Sequence, residues 1–296
     1  MGDGRHQGGD EKVGWIGLGQ IGAPMAARLV DHPGGLVVCD VVPQATERLA
    51  GKGATVATDA AAVVRAGATI ISVMVRDDAQ VRDVVRMILT VAAPGAVIAV
   101  HSTIDPGTAE ALAAEADASG VHLVDAPVSG GTMGAHSGRL AVLAGGTREA
   151  VDRCRGPFSA FADLVVHFGP AGTGTRAKIA RNLVTFASFA AAGEASRLAA
   201  AAGLDLTALG EVVRHSDAVT MGAGAIMLRA EAAPMGADDG LRPIFSHTLA
   251  LGEKDLDLAL TLAAELGLDL PLASQARALL PAALGLHPHG AAEGVT

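Results

Sequence analysis

The sequence predicts an α/β protein in which a doubly wound N-terminal domain leads, through one long helix, into an all-helical C-terminal domain. Two observations predict this fold class. Short apolar segments of strand length alternate with helical segments through the first half of the chain. After about Gly174 the strand-length segments stop and long helical segments follow. Alternation of this kind is typical of a parallel sheet with helices on its faces.

The composition limits the fold and its partners. The chain has 296 residues, half of them hydrophobic, which is enough for one large or two medium-sized domains. With no tyrosine, one tryptophan and six phenylalanines, Ala, Val and Leu must fill the core. A net charge of −9 and the lack of a basic or aromatic–arginine tract argue against nucleic-acid binding. The apolar runs Ala68–Val75 and Ala96–Val100 are strand-sized, so no membrane span is expected.

The chain ends and the cysteines bear on location. The first ten residues contain no apolar segment, so we interpret them as a flexible tail and not as a secretory signal. Cys39 and Cys154 are not spaced for a metal site and are too few for a disulfide framework. We therefore expect no metal and a cytoplasmic location.

The strands and helices of the N-terminal domain follow in order. The predicted strands are Val13–Gly17, Leu36–Asp40, Thr69–Val75, Ala96–His101 and His122–Ala126, with late strands at Leu140–Ala144 and Val165–Phe168. The predicted helices are Ala23–Val30, Ala45–Lys52, Ala79–Leu89 and Thr108–Ser119. Because the strands are continuously apolar, we expect a parallel sheet that is covered on both faces.

The second half of the chain is predicted to be helical. The first helix runs from Thr175 to Ala201 and Gly203 ends it, after which further helical segments include Ala259–Leu266 and Leu272–Leu284. The predicted divisions are a flexible tail at 1–11, an α/β domain at 12–172, a helical domain at 173–287 and a second flexible tail at 288–296.

A glycine-rich turn follows the first strand. Gly17, Gly19 and Gly22 fit the pattern G-x-G-x-x-G, and Asp40 ends the next strand about 20 residues later. The first glycine permits the tight turn, the second lets the backbone approach a pyrophosphate, and the third lets the helix pack on the strand. The helix N-terminus then faces the phosphate charge. An ordinary βα turn is the alternative, but the flanking strand, helix and acidic residue favour a Rossmann-type dinucleotide site.

The acidic residue predicts which dinucleotide binds. Asp40 can accept two hydrogen bonds from an adenosine ribose, whereas its charge would repel a 2′-phosphate. Val41 and Val42 follow it, so no arginine stands there for NADP. The sequence therefore predicts NAD and leaves NADP as the alternative. The predicted cofactor-binding residues of this region are Gly17, Leu18, Gly19, Gln20, Ile21, Gly22 and Asp40.

Two further segments follow strands of the predicted sheet. In the segment 101–107, Thr103 could hydrogen-bond the cofactor, or Ser102, Thr103 and Asp105 could simply cap the next helix. In the segment 125–135, small residues and paired glycines let backbone N–H groups converge on an anion, and Ser129 adds a hydroxyl. A structural turn would explain the glycines alone, but the whole run favours a site for a substrate carboxylate.

The last candidates lie on predicted helices. Lys178 and Asn182 share one helix face, with Arg181 beside them. A lysine that is partly desolvated in a cleft can have its pKa lowered towards the working range of a general base. The alternative is a solvated helix face. Lys254 with Asp255 reads, by itself, as a surface ion pair, and His247 as a partly exposed histidine and not as a second acid–base group.

Together these segments resemble the β-hydroxyacid dehydrogenase family, in its 3-hydroxyisobutyrate dehydrogenase-like form, from about Val13 to Leu284. The resemblance implies an active site in the cleft between two domains and a homodimer or homotetramer built through the helical domain. It further implies Lys178 as the catalytic lysine, Asn182 as the substrate-positioning asparagine and a substrate-carboxylate loop at Ser129, Gly130 and Gly131. The cofactor contacts that it implies outside the glycine loop are Val75, Arg76, Thr103 and Lys254.

The sequence departs from the family pattern at two positions. Arg76 replaces a proline that usually follows Val75, beside the dinucleotide. Arg181 stands where similar members have another asparagine. Its guanidinium could pair with a carboxylate or other anion of the substrate, or it could point away and pair with an acid across a subunit interface.

The resemblance implies an activity as well as a fold. The expected reaction is the reversible, NAD-dependent oxidation of a small 3-hydroxy acid, similar to 3-hydroxyisobutyrate, to its semialdehyde, with Lys178 as general acid and base. The alternatives are a tartronate- or succinic-semialdehyde reductase of the same family, or a dinucleotide-binding module without catalysis. Imine reductases of this fold generally lack the lysine, so Lys178 argues against them.

Overall fold

The computed structural model of the protein describes residues 11–229 and 233–286. The predicted tails at 1–11 and 288–296 therefore lie outside the described residues, apart from Glu11. The carboxylate of Glu11 forms an ion pair with Arg153, so this residue is held against the sheet domain and is not part of a flexible tail. The chain divides into two compact units between Arg181 and Asn182.

The described residues of the first unit form a nine-stranded sheet. Its strand order is β3-β2-β1-β4-β5-β6-β8-β7, with β9 paired to β8. The strands are β1 Val13–Ile16, β2 Leu36–Cys39, β3 Thr55–Val56, β4 Ile70–Val73, β5 Val97–Val100, β6 His122–Asp125, β7 Val128–Ser129, β8 Leu140–Gly145 and β9 Ala162–Gly169. The strands from β3 to β6 are all parallel, as the continuous apolar segments predict.

The far end of the sheet differs from the prediction of a parallel sheet. β8 runs antiparallel to β6 and β7, and β9 is parallel to β8. The reason lies in the connection after β6, which contains only the two-residue β7 and one short helix. A return to a parallel strand normally requires a crossover over one face of the sheet, usually through a longer helix.

The helices alternate with the strands and then dominate. In the first unit they are α1 Gly22–Ala27, α2 Pro43–Ala50, α3 Ala60–Arg65, α4 Asp78–Leu89, α5 Pro106–Asp117, α6 Gly131–Ser137 and α7 Arg148–Phe158. The long helix α8 spans Thr173–Ala201, and α9 Leu206–Thr220, a 3-10 turn Gly222–Ile226, α10 Arg242–Glu265 and α11 Pro271–Ala283 follow it. The sequence pattern did not predict β3, α3, β7, α6, α7, the full extent of α9 or the first half of α10.

Alternate strand residues build two separate cores on the two faces of the sheet. Trp15 and Ile70 belong to one core, whereas their neighbours Ile16 and Ile71 belong to the other. The first core also contains Phe158 and Phe161, which are fully buried. Burial of both faces explains why these strands read as continuous apolar runs.

The second unit is helical and leaves much apolar surface exposed. Its small core cluster contains Met235, Phe245 and Leu284. No residue of α9 is buried against the described part of the chain. Glu194 on α8 accepts hydrogen bonds from the backbone N–H groups of Leu272 and Ala273, and so caps the start of α11. Within the described residues, no helix combines the length and the apolarity that crossing a bilayer requires.

Candidate active site

The carboxyl ends of five neighbouring parallel strands lie at one edge of the sheet. The register pairs Ile16 with both Cys39 and Val73, Val73 with Val100, and Val100 with Asp125. The segments predicted to bind cofactor and substrate follow directly after these residues. The strand order reverses between β1 and β4, which is the position where open α/β sheets bind dinucleotides.

The glycine loop leaves one open surface. Gly17 has a φ of +94°, and a side chain there would collide with the carbonyl oxygen of Met74. A side chain at Gly22 would collide with the carbonyl oxygen of Gly17. At Gly19, by contrast, an added Cβ would have no described atom within 4 Å. Two glycines thus serve the packing of the loop itself, whereas Gly19 leaves room for a group of the size of a pyrophosphate to approach the backbone.

Asp40 is fixed beside this loop. Its Oδ2 accepts a hydrogen bond of 2.6 Å from the N–H of Leu18, and its Oδ1 accepts one of 2.8 Å from the N–H of Val42. A carboxylate offers about four acceptor positions, so both oxygens can still accept hydrogen bonds from hydroxyl groups. The donor set therefore fits the vicinal hydroxyls of an adenosine ribose.

A groove with positively charged side chains lies next to the glycine loop. It has a volume of about 440 Å³ and borders Gly19 and Gln20. Its charged or titratable lining residues are Arg28, Arg48, Lys52 and His136. Arg28 and Lys52 lie just after α1 and α2, and Arg48 lies on α2, whereas the residues that directly follow Asp40 are valines.

The loops after β4 and β5 are tied together. The Ser102 hydroxyl accepts a hydrogen bond of 2.9 Å from the N–H of Val75 and donates one of 2.6 Å to the Val75 carbonyl. Asp105 caps α5 through the N–H of Gly107. Thr103 is exposed at the same edge, and the Arg76 side chain is 81% exposed beside Asp77. The alternative is that Ser102, Thr103 and Asp105 cap the next helix. It is confirmed only for Asp105, because the Ser102 hydroxyl bonds the backbone of Val75 instead.

A buried histidine that the sequence analysis did not single out supports these loops. His101 stacks on Trp15 at a ring distance of 5.3 Å and contacts the edges of Phe158 and Phe161. Its Nδ1 lies 2.8 Å from the carbonyl oxygen of Ala126, which can only accept, so Nδ1 carries the proton. Burial lowers the pKa of His101 to about 4, so the ring is neutral at pH 7.

The predicted substrate-carboxylate loop contains two consecutive glycines in a backbone conformation that other residues rarely adopt. Gly130 and Gly131 have positive φ values of 128° and 62° and are both exposed. Helix α6 begins here without a side-chain cap from any described residue. Ser129 is half-buried at the end of β7. Exposed N–H groups in such a turn can converge on an anion.

Asp125 has a different position from the rest of this motif. Its side chain is completely buried, and its carboxylate accepts hydrogen bonds from the N–H groups of Gly172 and Thr175 at the start of α8. Burial raises the pKa of Asp125, and these hydrogen bonds oppose that shift. The motif that reads as one functional run therefore divides into a buried helix-capping residue and an exposed glycine turn.

Lys178 is half-buried on α8, less than one turn beyond Thr175. Burial lowers the pKa of its amine, and the nearby positive charge of Arg181 lowers it further. A fully solvated helix face, the alternative for this lysine, does not agree with that burial. On the same helix, the exposed Arg176 forms an ion pair of 2.6 Å with Glu110.

Two other predicted residues belong to the second unit. Asn182 lies one turn beyond Lys178 on α8 and is partly buried. Lys254 is exposed on α10, where its amine lies 3.0 Å from Asp255, as expected for a surface ion pair. His247 is also exposed on α10. Within the described part of the chain, no group of three or more His, Cys, Asp or Glu side chains is arranged to hold a metal ion.

Comparison with protein families gives two matches. Residues 12–169 match the NAD-binding domain of 6-phosphogluconate dehydrogenase. Residues 172–293 match the domain described as the NAD-binding domain of NADP-dependent 3-hydroxyisobutyrate dehydrogenase. The two matches follow each other along the chain and together cover nearly all of it.

Individual proteins agree with the family matches. An uncharacterised oxidoreductase from Mycobacterium tuberculosis is 53% identical over 94% of each chain. An NAD-dependent L-serine dehydrogenase from Pseudomonas aeruginosa is 35% identical over 70% of each chain. A crystal structure of an oxidoreductase from Mycobacterium avium superposes with a TM-score of 0.89 at 51% identity, covering 93% of this chain and 98% of that one. The chain therefore belongs to the β-hydroxyacid dehydrogenase family and is an NAD(P)-binding oxidoreductase of the 3-hydroxyisobutyrate dehydrogenase type.

Proposed function

We propose that the protein catalyses the reversible, NAD-dependent oxidation of a small 3-hydroxy acid to its semialdehyde, with Lys178 as the general acid and base. One observation carries the proposal. Lys178 is half-buried with a lowered pKa, on a helix whose first turn is attached to the carboxyl end of β6. That strand end belongs to the same sheet edge as the glycine loop.

The cofactor side of the proposal rests on the glycine loop and on Asp40. The open backbone at Gly19 would accommodate the pyrophosphate, and the fixed carboxylate of Asp40 would accept hydrogen bonds from the ribose. The bound nicotinamide supplies the hydride acceptor. We propose NAD as the preferred cofactor because a 2′-phosphate would lie against the Asp40 carboxylate. The basic groove beside Gly19 is the feature that favours NADP as the alternative.

The substrate side rests on the glycine turn. The substrate carboxylate would accept hydrogen bonds from the N–H groups around Ser129, Gly130 and Gly131. The neutral amine of Lys178 accepts the proton of the β-hydroxyl while the carbon–hydrogen bond breaks, and Asn182 orients that hydroxyl. In the reverse direction the protonated Lys178 returns the proton to the aldehyde oxygen, and its charge stabilises the developing alkoxide.

The positive charge near Lys178 favours one substrate class over another. L-Serine and 3-hydroxyisobutyrate both have a primary hydroxyl on the β carbon and a carboxylate on the α carbon. They differ in the α substituent, which is an ammonium group in serine and a methyl group in 3-hydroxyisobutyrate. Because Arg181 adds positive charge beside Lys178, an α-ammonium group is disfavoured there. We therefore propose a substrate similar to 3-hydroxyisobutyrate and not to L-serine.

A substrate panel tests this proposal. Initial rates of cofactor reduction are measured with NAD or NADP and with 3-hydroxyisobutyrate, 3-hydroxypropionate, glycerate and L-serine. Cofactor oxidation is measured with tartronate and succinic semialdehydes. The proposal predicts the highest kcat/KM for NAD with 3-hydroxyisobutyrate or a close analogue. Preference for tartronate or succinic semialdehyde would favour the reductase alternative. NAD binding without turnover of any compound would favour a dinucleotide-binding module without catalysis.

A further inference from the structure

The start of the helix that carries Lys178 is bonded to the strand that leads into the glycine turn. We propose that Asp125, which makes this bond, is a positioning residue that sets the location of the Lys178 amine relative to the Ser129–Gly131 turn. The proposal rests on the function proposed above for Lys178. It assigns to Asp125 no contact with the substrate or the cofactor.

One carboxylate holds the first turn of α8. Asp125 Oδ1 accepts a hydrogen bond of 2.7 Å from the N–H of Gly172, and Oδ2 accepts one of 2.6 Å from the N–H of Thr175. Asp125 is the last residue of β6 and its side chain is completely buried. Hydrogen bonds to an ionised acceptor in a buried position are stronger than those between neutral groups.

The backbone around this carboxylate leaves no space for adjustment. A side chain at Gly174 would collide with the carbonyl oxygens of Leu143 and Asp125. A side chain at Gly145 would collide with Oδ1 of Asp125 and would lie 2.7 Å from the N–H of Gly174. The helix backbone therefore lies directly on the ends of β6 and β8. The two hydrogen bonds fix the rotation of the helix about its axis and its distance from these strand ends.

Asp125 is linked to both parts of the proposed site, to one through its hydrogen bond to Thr175 and to the other through the chain that follows it. Lys178 follows Thr175 by less than one helical turn, and Ser129 follows Asp125 across the short segment Ala126–Val128. A change at Asp125 would thus move the general base relative to the substrate-carboxylate turn. Displacement of a reacting group by about 1 Å can reduce the rate about 100-fold.

The test compares two variants that lose the same kind of hydrogen bond. Asp125→Asn keeps the size of the side chain, but its amide group can accept only one of the two N–H groups and places a donor against the other. Glu194→Gln makes the same change at the start of α11, where Glu194 accepts from Leu272 and Ala273. Both variants lose part of a helix cap, but only Asp125 holds the helix start that precedes Lys178.

Two measurements are made on each variant. The first is kcat on the best substrate of the panel, expressed per NAD-binding site so that unfolded protein does not contribute. We expect Asp125→Asn to lower kcat by about 10- to 100-fold with an unchanged Kd for NAD, and Glu194→Gln to leave kcat unchanged. The second is the pH dependence of Lys178 acylation by acetic anhydride, followed by mass spectrometry. Displacement of the helix start would expose Lys178 to solvent, so we expect its apparent pKa to rise in Asp125→Asn alone, whereas loss of the carboxylate charge by itself would lower it.

The outcomes separate this proposal from the function on which it rests. Unchanged kcat and an unchanged acylation profile in Asp125→Asn would overturn the positioning role. Equal losses of kcat in the two variants would also overturn it, because a general effect of cap loss would then suffice. An inactive wild-type protein whose Lys178 acylation profile still shifts in Asp125→Asn would overturn the function and leave the positioning role supported. If Asp125→Asn does not fold, Asp125→Ser, which keeps one acceptor, takes its place in both measurements.

Discussion

At the level of single residues, the amine of Lys178 is influenced by a neighbour that departs from the family pattern. Arg181 lowers the pKa of Lys178 through its positive charge. Oxidation requires the neutral amine, so a lowered pKa extends the active range towards lower pH. Arg181→Asn removes this charge, and the pKa of Lys178 should therefore rise.

The pH profile checks this effect of Arg181. We expect the acidic limb of kcat/KM for oxidation to move to higher pH in Arg181→Asn. Arg176→Asn is the matched control, because it removes the same charge from the same helix at a position that pairs with Glu110. An acidic limb that stays in place in Arg181→Asn, or that moves equally in both variants, would contradict the role of Arg181.

The buried His101 predicts a dependence of stability on pH. Its folded pKa of about 4 lies below the ordinary value of 6.5, so the unfolded chain binds a proton at a pH where the folded protein does not. Stability from this residue is therefore complete above pH 6.5 and is lost as the pH falls towards 4. At about 1.4 kcal/mol per pKa unit, the loss is about 2 kcal/mol at pH 5 relative to pH 8.

Urea unfolding at pH 8 and pH 5 measures this dependence. His101→Asn should lower the free energy of unfolding at both values and should show a smaller difference between them than the wild-type protein. His215→Asn, at an exposed position on α9, should retain the wild-type difference. A full pH difference in His101→Asn would show that other groups cause it.

The residues predicted from the sequence and those that were missed differ in how far away along the chain their partners lie. The glycine pattern, Asp40 and Lys178 could be recognised because short motifs contain them. The partners of Asp125 lie 47 and 50 residues away, and those of Ser102 and His101 lie 25 to 29 residues away. Pairing over such distances depends on the strand order, which one sequence does not contain.

At the level of elements, the apolar runs predicted the main strands but not the direction of β8. A strand has the same local pattern in either direction, so its orientation depends on the connection that precedes it. The missed helices α3 and α7 begin after the capping residues Asp59 and Thr147. Each of these side chains accepts a hydrogen bond from the backbone N–H group three residues later. Asp59 and Thr147 are residue types that favour the N-cap, so the start of each helix has a local signal in the sequence.

The glycine loop predicts opposite results for two glycines. Gly19→Ala introduces a methyl group where no described atom lies within 4 Å, so the protein should fold with an unchanged Tm. If the pyrophosphate crosses this position, the affinity for NAD should fall at least tenfold, which is about 1.4 kcal/mol. Gly22→Ala should instead lower the Tm, because its methyl group collides with the carbonyl oxygen of Gly17.

Calorimetric titration with NAD and thermal unfolding separate the two effects. Gly240→Ala, at another position that is unobstructed by described atoms, is the control and should change neither the Tm nor the affinity. Normal NAD affinity in Gly19→Ala would mean that the cofactor does not cross the loop at this residue.

At the level of the whole molecule, the predicted order of an α/β unit and a helical unit is confirmed. The predicted boundary after residue 172 precedes the observed division at Arg181. The first turns of α8 cluster with the sheet because Asp125 binds them, a contact that no local pattern reveals.

The second unit leads us to expect a homo-oligomer. Many of its large apolar side chains are exposed in the single chain, among them Phe186, Phe189 and Val219. Exposed apolar surface of this extent is typical of a protein–protein interface. Sedimentation equilibrium should give the mass of a dimer or tetramer, and Phe189→Asp should shift it towards the monomer. A monomeric wild-type protein at micromolar concentration would contradict this expectation.

The most direct test of the proposed chemistry is the rate of NAD reduction by the Lys178→Ala variant on the best 3-hydroxy acid of the panel. General acid–base catalysis predicts a loss of at least about 100-fold, and up to about 10,000-fold, in kcat. The Kd for NAD, measured on the same protein, should remain close to the wild-type value because the glycine loop and Asp40 are intact. Turnover close to the wild-type rate in Lys178→Ala would contradict the assignment of Lys178 as the general acid and base.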